Sequence, residues 1–265
     1  MRRTIIAAIL VLTAAAATAQ VVTTRSSAVQ LLIPAAGALD GGGGTFFRSD
    51  ITILNYRSTA QRIRLQWLPQ TVTGIGVATV EMTINAQSGF VSEDFVTNVM
   101  LRSGLGSIIV TGITAAGDVD PSAQLVATSR IWTPQPASGG TTSQSLPSLS
   151  TTDINSSSLT IVSERRDSRY RLNVGIVNMA NVAQRYQVVA SGSGGNDTQQ
   201  VDVEALSMKL FNIAGANSST PVQVQVTNIT ATSRSTAWTA FGSSVDNITG
   251  DAWTTIGFTA PGGTP

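Results

Sequence analysis

ILNYRSTAQR, residues 53–62, returns as IVNMANVAQR at residues 176–185, 123 positions further along the chain. Extended to 47–62 against 170–185, the stretches share six identities in sixteen: Arg48/Arg171, Ile53/Ile176, Asn55/Asn178, Ala60/Ala183, Gln61/Gln184 and Arg62/Arg185. Phe47/Tyr170, Asp50/Asn173 and Ile51/Val174 are near matches. Further short stretches pair at other offsets: 31–33 with 160–162 at 129, 84–88 with 203–207 at 119, 107–114 with 223–230 at 116, and 127–132 with 236–241 at 109. Each fall in offset is an insertion in the first copy, placed around ALDGGGGT, PQTVTGIG, NVMLRSGL and AAGDVDPS. All four have loop composition, and a sheet absorbs length changes only in loops. An odd insertion inside a strand would turn its apolar face outward. One set of strands written twice is a duplicated domain, and two copies are too few for a solenoid.

The copies read as antiparallel sheet. In RIRLQWL (62–68), Ile63, Leu65 and Trp67 fall on one face and Arg62, Arg64 and Gln66 on the other; VATVEMTI (77–84) and VQVQV (222–226) alternate alike. One buried and one wet face mark antiparallel strands. DFVTNVML (94–101) is the one stretch with the spacing of a helical turn. Each unit of about 110 residues holds seven or eight short strands, which fits an immunoglobulin-like sandwich with Trp67 facing inward. GGTTSQSLPSL (139–149) holds the place of TGDAWTTIGFTA (249–260) and reads as the last hairpin of the first unit. The expected fold is therefore all-β: two tandem immunoglobulin-like antiparallel β-sandwich domains after a cleaved signal peptide. The expected divisions are signal peptide 1–19, N-terminal extension 20–27, first sandwich 28–149, linker 150–156 and second sandwich 157–262.

MRRTIIAAILVLTAAAATAQ has the parts of a secretory signal: Arg2 and Arg3, the apolar run Ile5–Leu12, and Ala17-Thr18-Ala19 before Gln20. No later segment approaches the length of a membrane span, so the mature chain is expected outside the bilayer. The neighbours of a twin-arginine signal are missing, so the general secretory route is expected, to a secreted, periplasmic or cell-surface location. Cleavage removes two of the 16 basic residues, leaving 14 against 15 acidic. Such a balance argues against a nucleic-acid partner.

LLIPAAG (31–37), FFRSDITILNYRSTAQRIRLQWLP (46–69) and SVDNITGDAWTTIGFTAP (244–261) resemble exported bacterial proteins of tandem immunoglobulin-like sandwiches. In that group an IPA strand leads to RTDL-x-L-x-N and the unit closes with VDN-x-TGD. The resemblance covers most of the mature chain and implies an envelope or extracellular location. It brings no catalytic residue with it.

The chain contains no histidine and no cysteine, which excludes Ser-His-Asp and Cys-His catalysis, disulfides and thiolate metal sites. Lys209, its single lysine, lies in a strand-like KLFNI with no S-x-x-K before it. The adjacent carboxylates Asp118/Asp120 and Glu93/Asp94 sit in a turn and at a strand end, without the aromatic platform of a sugar hydrolase. No enzymatic activity and no cofactor are expected. GDVDP (117–121) and VDNITGD (245–251), with Asp246, Asn247 and Asp251, are weak calcium candidates against the plainer reading of Asx turns. Gly41–Gly44 lacks the Lys and helix of a phosphate loop and reads as a hairpin. ERRDSRYR (164–171) is the densest charge run. Its Arg165, Arg166 and Arg169 are candidates for a polyanion or acidic glycan against the plainer reading of a solvated loop. Trp132 and Phe241 pair as repeat equivalents, which favours packing. Tyr56, Phe46 and Trp253 lack an aromatic counterpart and are the better candidates for an exposed contact.

These residues point first to a non-catalytic exported structural, adhesive or assembly module, and second to a glycan- or polyanion-binding sandwich. The expected partner is a protein or a cell-surface glycan, with self-association through edge strands as a further route.

Overall fold

The structure, a computed structural model, describes residues 27–135, 139–154, 157–230 and 237–259. The expected signal peptide, all but the last residue of the expected N-terminal extension, and the last two residues of the expected linker lie outside the described residues. The described chain is all-β, with antiparallel strand pairing throughout its sheets.

The first copy contributes β1 (Gln30–Asp40), β2 (Phe46–Asn55), β3 (Gln61–Pro69), β4 (Val80–Ile84), β5 (Ser88–Ser92), β6 (Gly104–Ile113), β7 (Leu125–Gln135) and β8 (Gly140–Pro147). A short helix α1 (Phe95–Asn98) falls within DFVTNVML as expected. One layer runs β4-β3-β6-β1 and the other β5-β2-β7-β8, joined where the end of β1 turns into β2 through the Gly41–Gly44 hairpin. A two-residue strand β9 (Leu149–Ser150) then pairs with β1, and a 3-10 turn (Thr151–Asp153) follows, so the expected linker begins inside the sheet.

The second copy repeats this order with β10 (Ser158–Glu164), β11 (Tyr170–Asn178), β12 (Gln184–Gly192), β13 (Gly195–Val203), β14 (Ser207–Ile213), β15 (Val222–Asn228), β16 (Trp238–Asp246) and β17 (Ala252–Ile256). Its layers are β10-β15-β12-β13 and β14-β11-β16-β17, strand for strand those of the first copy. Each sandwich-like unit holds its own core. Ile53, Ile63, Leu65, Trp67 and Phe95 are buried in the first, and Val174, Ile176, Tyr186, Val188 and Trp238 in the second.

Asn55 and Asn178 show why the repeated motif ends in asparagine. The Asn55 Nδ2 donates to the carbonyls of Thr59, Ile84 and Asn85, and its Oδ1 accepts from the Arg57 N–H. Asn178 makes the same bonds to Val182, Val203, Glu204 and Ala180. One buried amide thereby ties the turn after the second strand to the turn after the fourth, and only an amide supplies both donors and an acceptor.

Two expected alignments need correction. Asn55 faces Leu125 and Asn178 faces Trp238, so the seventh strands match at an offset of 113, not 109. Trp132 then corresponds to Val245, and Phe241 to Thr128; the two aromatics are not repeat equivalents. Leu31 faces Val110 and Leu159 faces Val226, so the first strands match at 128 rather than 129. Short apolar runs match themselves at several offsets, whereas the hydrogen-bond ladder admits one register.

A third apolar cluster joins the units. Leu32, Leu68 and Ile109, on the outer face of the β4-β3-β6-β1 layer, pack with Val177, Met208 and Phe241 of the β14-β11-β16-β17 layer. Strands β1, β6, β11 and β16 are therefore buried on both faces over long stretches. Their sequences, LLIPAAG and SIIVTG among them, run apolar without alternation for that reason. The insertion around PQTVTGIG adds a clasp. Thr71 N–H donates to Met208 O at 3.0 Å, Gly74 N–H to Ala205 O at 3.0 Å, and the Ser207 hydroxyl to Pro69 O at 2.7 Å.

Candidate functional site

The charged loop 164–170 connects β10 to β11, and the connections after β12 and β14 reach the same end of the second unit. An antiparallel arrangement brings alternate connections together in this way, although these lie some 25 to 50 residues apart in sequence. Together they line an open groove of about 880 Å3, whose walls include Arg165, Arg169 and Tyr170 on one side and Ser193, Asn217 and Ser219 on the other.

The three candidate arginines have three different roles. Arg166 is spent on the backbone: its Nε and Nη2 donate to Ile213 O and Ala214 O, both at 2.8 Å, and its Nη1 to Asp167 O at 2.9 Å. It stitches the loop to the β14–β15 connection. Arg169 reaches Asp246 of VDNITGD, with Nη2 to Oδ2 at 2.7 Å. Arg165 is exposed, with its guanidinium carbon 5.4 Å from the centroid of the Tyr170 ring. No carboxylate of the described residues lies within ion-pair distance of it, whereas seven ion pairs form elsewhere.

Arg169 also lies 5.3 Å from the centroid of the Tyr170 ring, and Trp253 meets that ring edge-on at 5.5 Å. Trp253, a candidate for an exposed contact, is half-buried as the support of this stack. Phe46 is likewise half-buried, packed on the first core beneath Arg48. Tyr56 is 56% exposed on the turn after β2, in the first unit and apart from the groove.

The weak calcium candidates are occupied by the protein's own donors. Asp246 Oδ1 accepts the Ile248 N–H at 2.8 Å, and Asn247 Oδ1 accepts from Arg171 Nη1 at 2.9 Å. The Arg169 hydrogen bond, then that of Ile248, holds the Asp246 carboxyl below its usual range. Asp251 contributes its backbone carbonyl to Asp246 N–H. In the other loop, Asp120 accepts from Ser122 and pairs with Arg57 at 2.7 Å, while Asp118 is exposed. Among the described residues no three acidic side chains gather as a metal site would require.

Sequence reasoning missed Glu164. It is fully buried at the root of the charged loop, with Oε2 held by Ser244 and Oε1 enclosed without a hydrogen-bond partner. Burial raises its pKa, against the opposing hydrogen bond from Ser244. Gly242 makes the room: a Cβ there would lie 2.7 Å from Oε1. The serine-rich walls were missed as well; SGSGG (191–195) and NSST (217–220) read as ordinary turns until the strand order sets them opposite the arginines.

The sequence matches no protein-family model and no curated protein.

Proposed function

We propose that this chain is a non-catalytic exported module, structural or adhesive, of the bacterial cell envelope or extracellular space, built of two immunoglobulin-like sandwiches. The fold supports the kinship in part. If β2, β3, β5 and β6 are taken as strands B, C, E and F, their pairs lie in opposite layers, as the immunoglobulin arrangement requires. The outer strands depart from the constant-type order: β1 lies beside β6 and β7 beside β2.

The observation that carries the structural reading is the third apolar cluster. Two units joined by a flexible tether would reorient freely, as small polar interfaces allow. Here Leu68, Val177 and Met208 are wholly enclosed between the units, which supports a rigid two-unit body able to hold its ends at a set distance. The leader-like N-terminus supports export.

Expression with the full leader, followed by fractionation and N-terminal sequencing, tests the reading. Exported material should begin at or within a residue or two of Gln20 and withstand proteolysis between the units. An intact Met1 on cytoplasmic protein, or rapid cleavage into halves, would overturn it.

A further inference from the structure

The duplication supplies an internal control. Both copies close the same two layers, so a feature found in one copy alone is not required by the fold. The segment entering the second strand contains ALDGGGGT in the first copy and ERRDSRYR in the second. Three costly features converge on the second copy here. Ser163 adopts a left-handed φ of 64°, while Ala35, its counterpart by strand register, does not. Glu164 replaces Ala36 as a buried residue and leaves Oε1 without a partner. Arg165 makes no ion pair among the described residues, although Glu164 precedes it and Asp167 follows two residues on. Strain and unpaired polar groups gathered at one loop root are the usual marks of a functional segment.

The root also aims the loop. Ser244 Oγ bridges Glu164 Oε2 and the backbone N–H of Arg165, the latter at 2.7 Å, so the buried carboxylate sets where Arg165 leaves the sheet. Opposite, the hydroxyls of Ser193, Ser218 and Thr220 form a hydrogen-bonded chain, Ser193 to Ser218 at 3.0 Å and Ser218 to Thr220 at 3.1 Å. Ser193, Asn217 and Ser219 are exposed beside it. The groove thus places one cation with an unengaged fork against a wall of groups that both donate and accept.

We propose that this groove is a binding subsite for an anionic polysaccharide. A uronate carboxylate engages Arg165, and its ring hydroxyls engage Ser193, Asn217 and Ser219. A guanidinium matches a carboxylate in two parallel hydrogen bonds. Hydroxyl and amide side chains match sugar hydroxyls because each partner can donate and accept. A nucleic-acid strand fits less well, because Tyr170, the one aromatic among the described residues lining the groove, is already in contact with two guanidiniums and the Trp253 ring. The site stands apart from the question of where the protein is located.

Calorimetric titration of the mature chain with trigalacturonate, its methyl ester and dextran sulfate, at about 0.15 M salt, tests the site where exposed charges are already screened. Trigalacturonate should bind. Its ester should bind at least about tenfold more weakly, and Arg165→Ala should cost the acid about tenfold, as loss of one charged hydrogen-bonded contact does. Ser219→Ala should weaken the acid a few-fold, and both variants should melt as the parent does. Absence of heat with trigalacturonate, equal binding of acid and ester, or an unchanged affinity in Arg165→Ala would each overturn the proposal. So would dextran sulfate bound as tightly as the acid and untouched by Ser219→Ala, since that describes a charged surface without sugar recognition.

Discussion

Arg169 donates to one oxygen of Asp246 from two nitrogens, Nε at 3.0 Å and Nη2 at 2.7 Å, across 77 residues of sequence. The contact joins the charged loop to the turn that closes the unit, and it turns two separate candidates, a polyanion contact and a calcium ligand, into one ion pair. Asp246 is held below its usual pKa, so the pair stabilises the fold above the unfolded value of 3.8 and the contribution is lost as pH falls through the folded one. Asp246→Asn should therefore lower Tm at neutral pH, and the gap from the parent should close only below about pH 3.8. Thermal melts across pH 2–7 check this; a gap constant with pH would refute it.

Glu164 has the opposite sign. Its pKa is raised by burial, so the protonated form is favoured in the fold. Its stabilising contribution is complete below the unfolded value of 4.5 and is lost as pH rises through the folded pKa. Glu164→Gln should match the parent in acid and be more stable at neutral pH, because the neutral amide removes the charge that burial disfavours. Denaturant titrations at pH 4 and pH 7.5 separate the cases, and a variant less stable at both would show that the carboxylate is paired in solution.

The twin asparagines should behave alike. Asn55→Ala and Asn178→Ala each strip a buried amide that serves three carbonyls, and each should cost about 1–3 kcal/mol or more. Equilibrium unfolding in urea measures both. A near-neutral result in either copy would mean that the shared motif is not shared for this reason.

The third cluster predicts coupling between the units. Leu68→Ala and Met208→Ala sit on opposite sides of it, each wholly buried, and each should cost about 2–5 kcal/mol. Calorimetry should show one transition for the full chain, displaced by either change. Residues 27–154 and 157–259 made as separate chains should associate when mixed, because each alone exposes Leu32 and Leu68 or Val177 and Met208 to water. Two unshifted, independent melts, with no association on mixing, would show that the cluster does not couple the units.

Much of this architecture is legible in the chain. The repeated asparagine motif, the alternation in RIRLQWL and the loop composition of the insertions together specify two units of like strand order. They do so because burial on one face of a strand writes a period of two into the sequence. Trp67 at 3% exposure is where that alternation puts it. The first and seventh strands aligned poorly because one member of each pair, β1 and β16, is buried on both faces, and a run such as LLI has no phase to fix its register.

Contacts far apart in sequence left no such trace. Nothing in PQTVTGIG reveals that it clasps Met208 and Ala205, and nothing in SGSGG or NSST reveals that they face Arg165. Local sequence determined the strands, the duplication and the residue types available for chemistry. Tertiary structure decided which outer faces meet and which described arginine side chain is left with neither a hydrogen bond nor an ion pair. Strand patterning is set by each residue's nearest neighbours, whereas the meeting of two sheets or two loops depends on the chain's path through space.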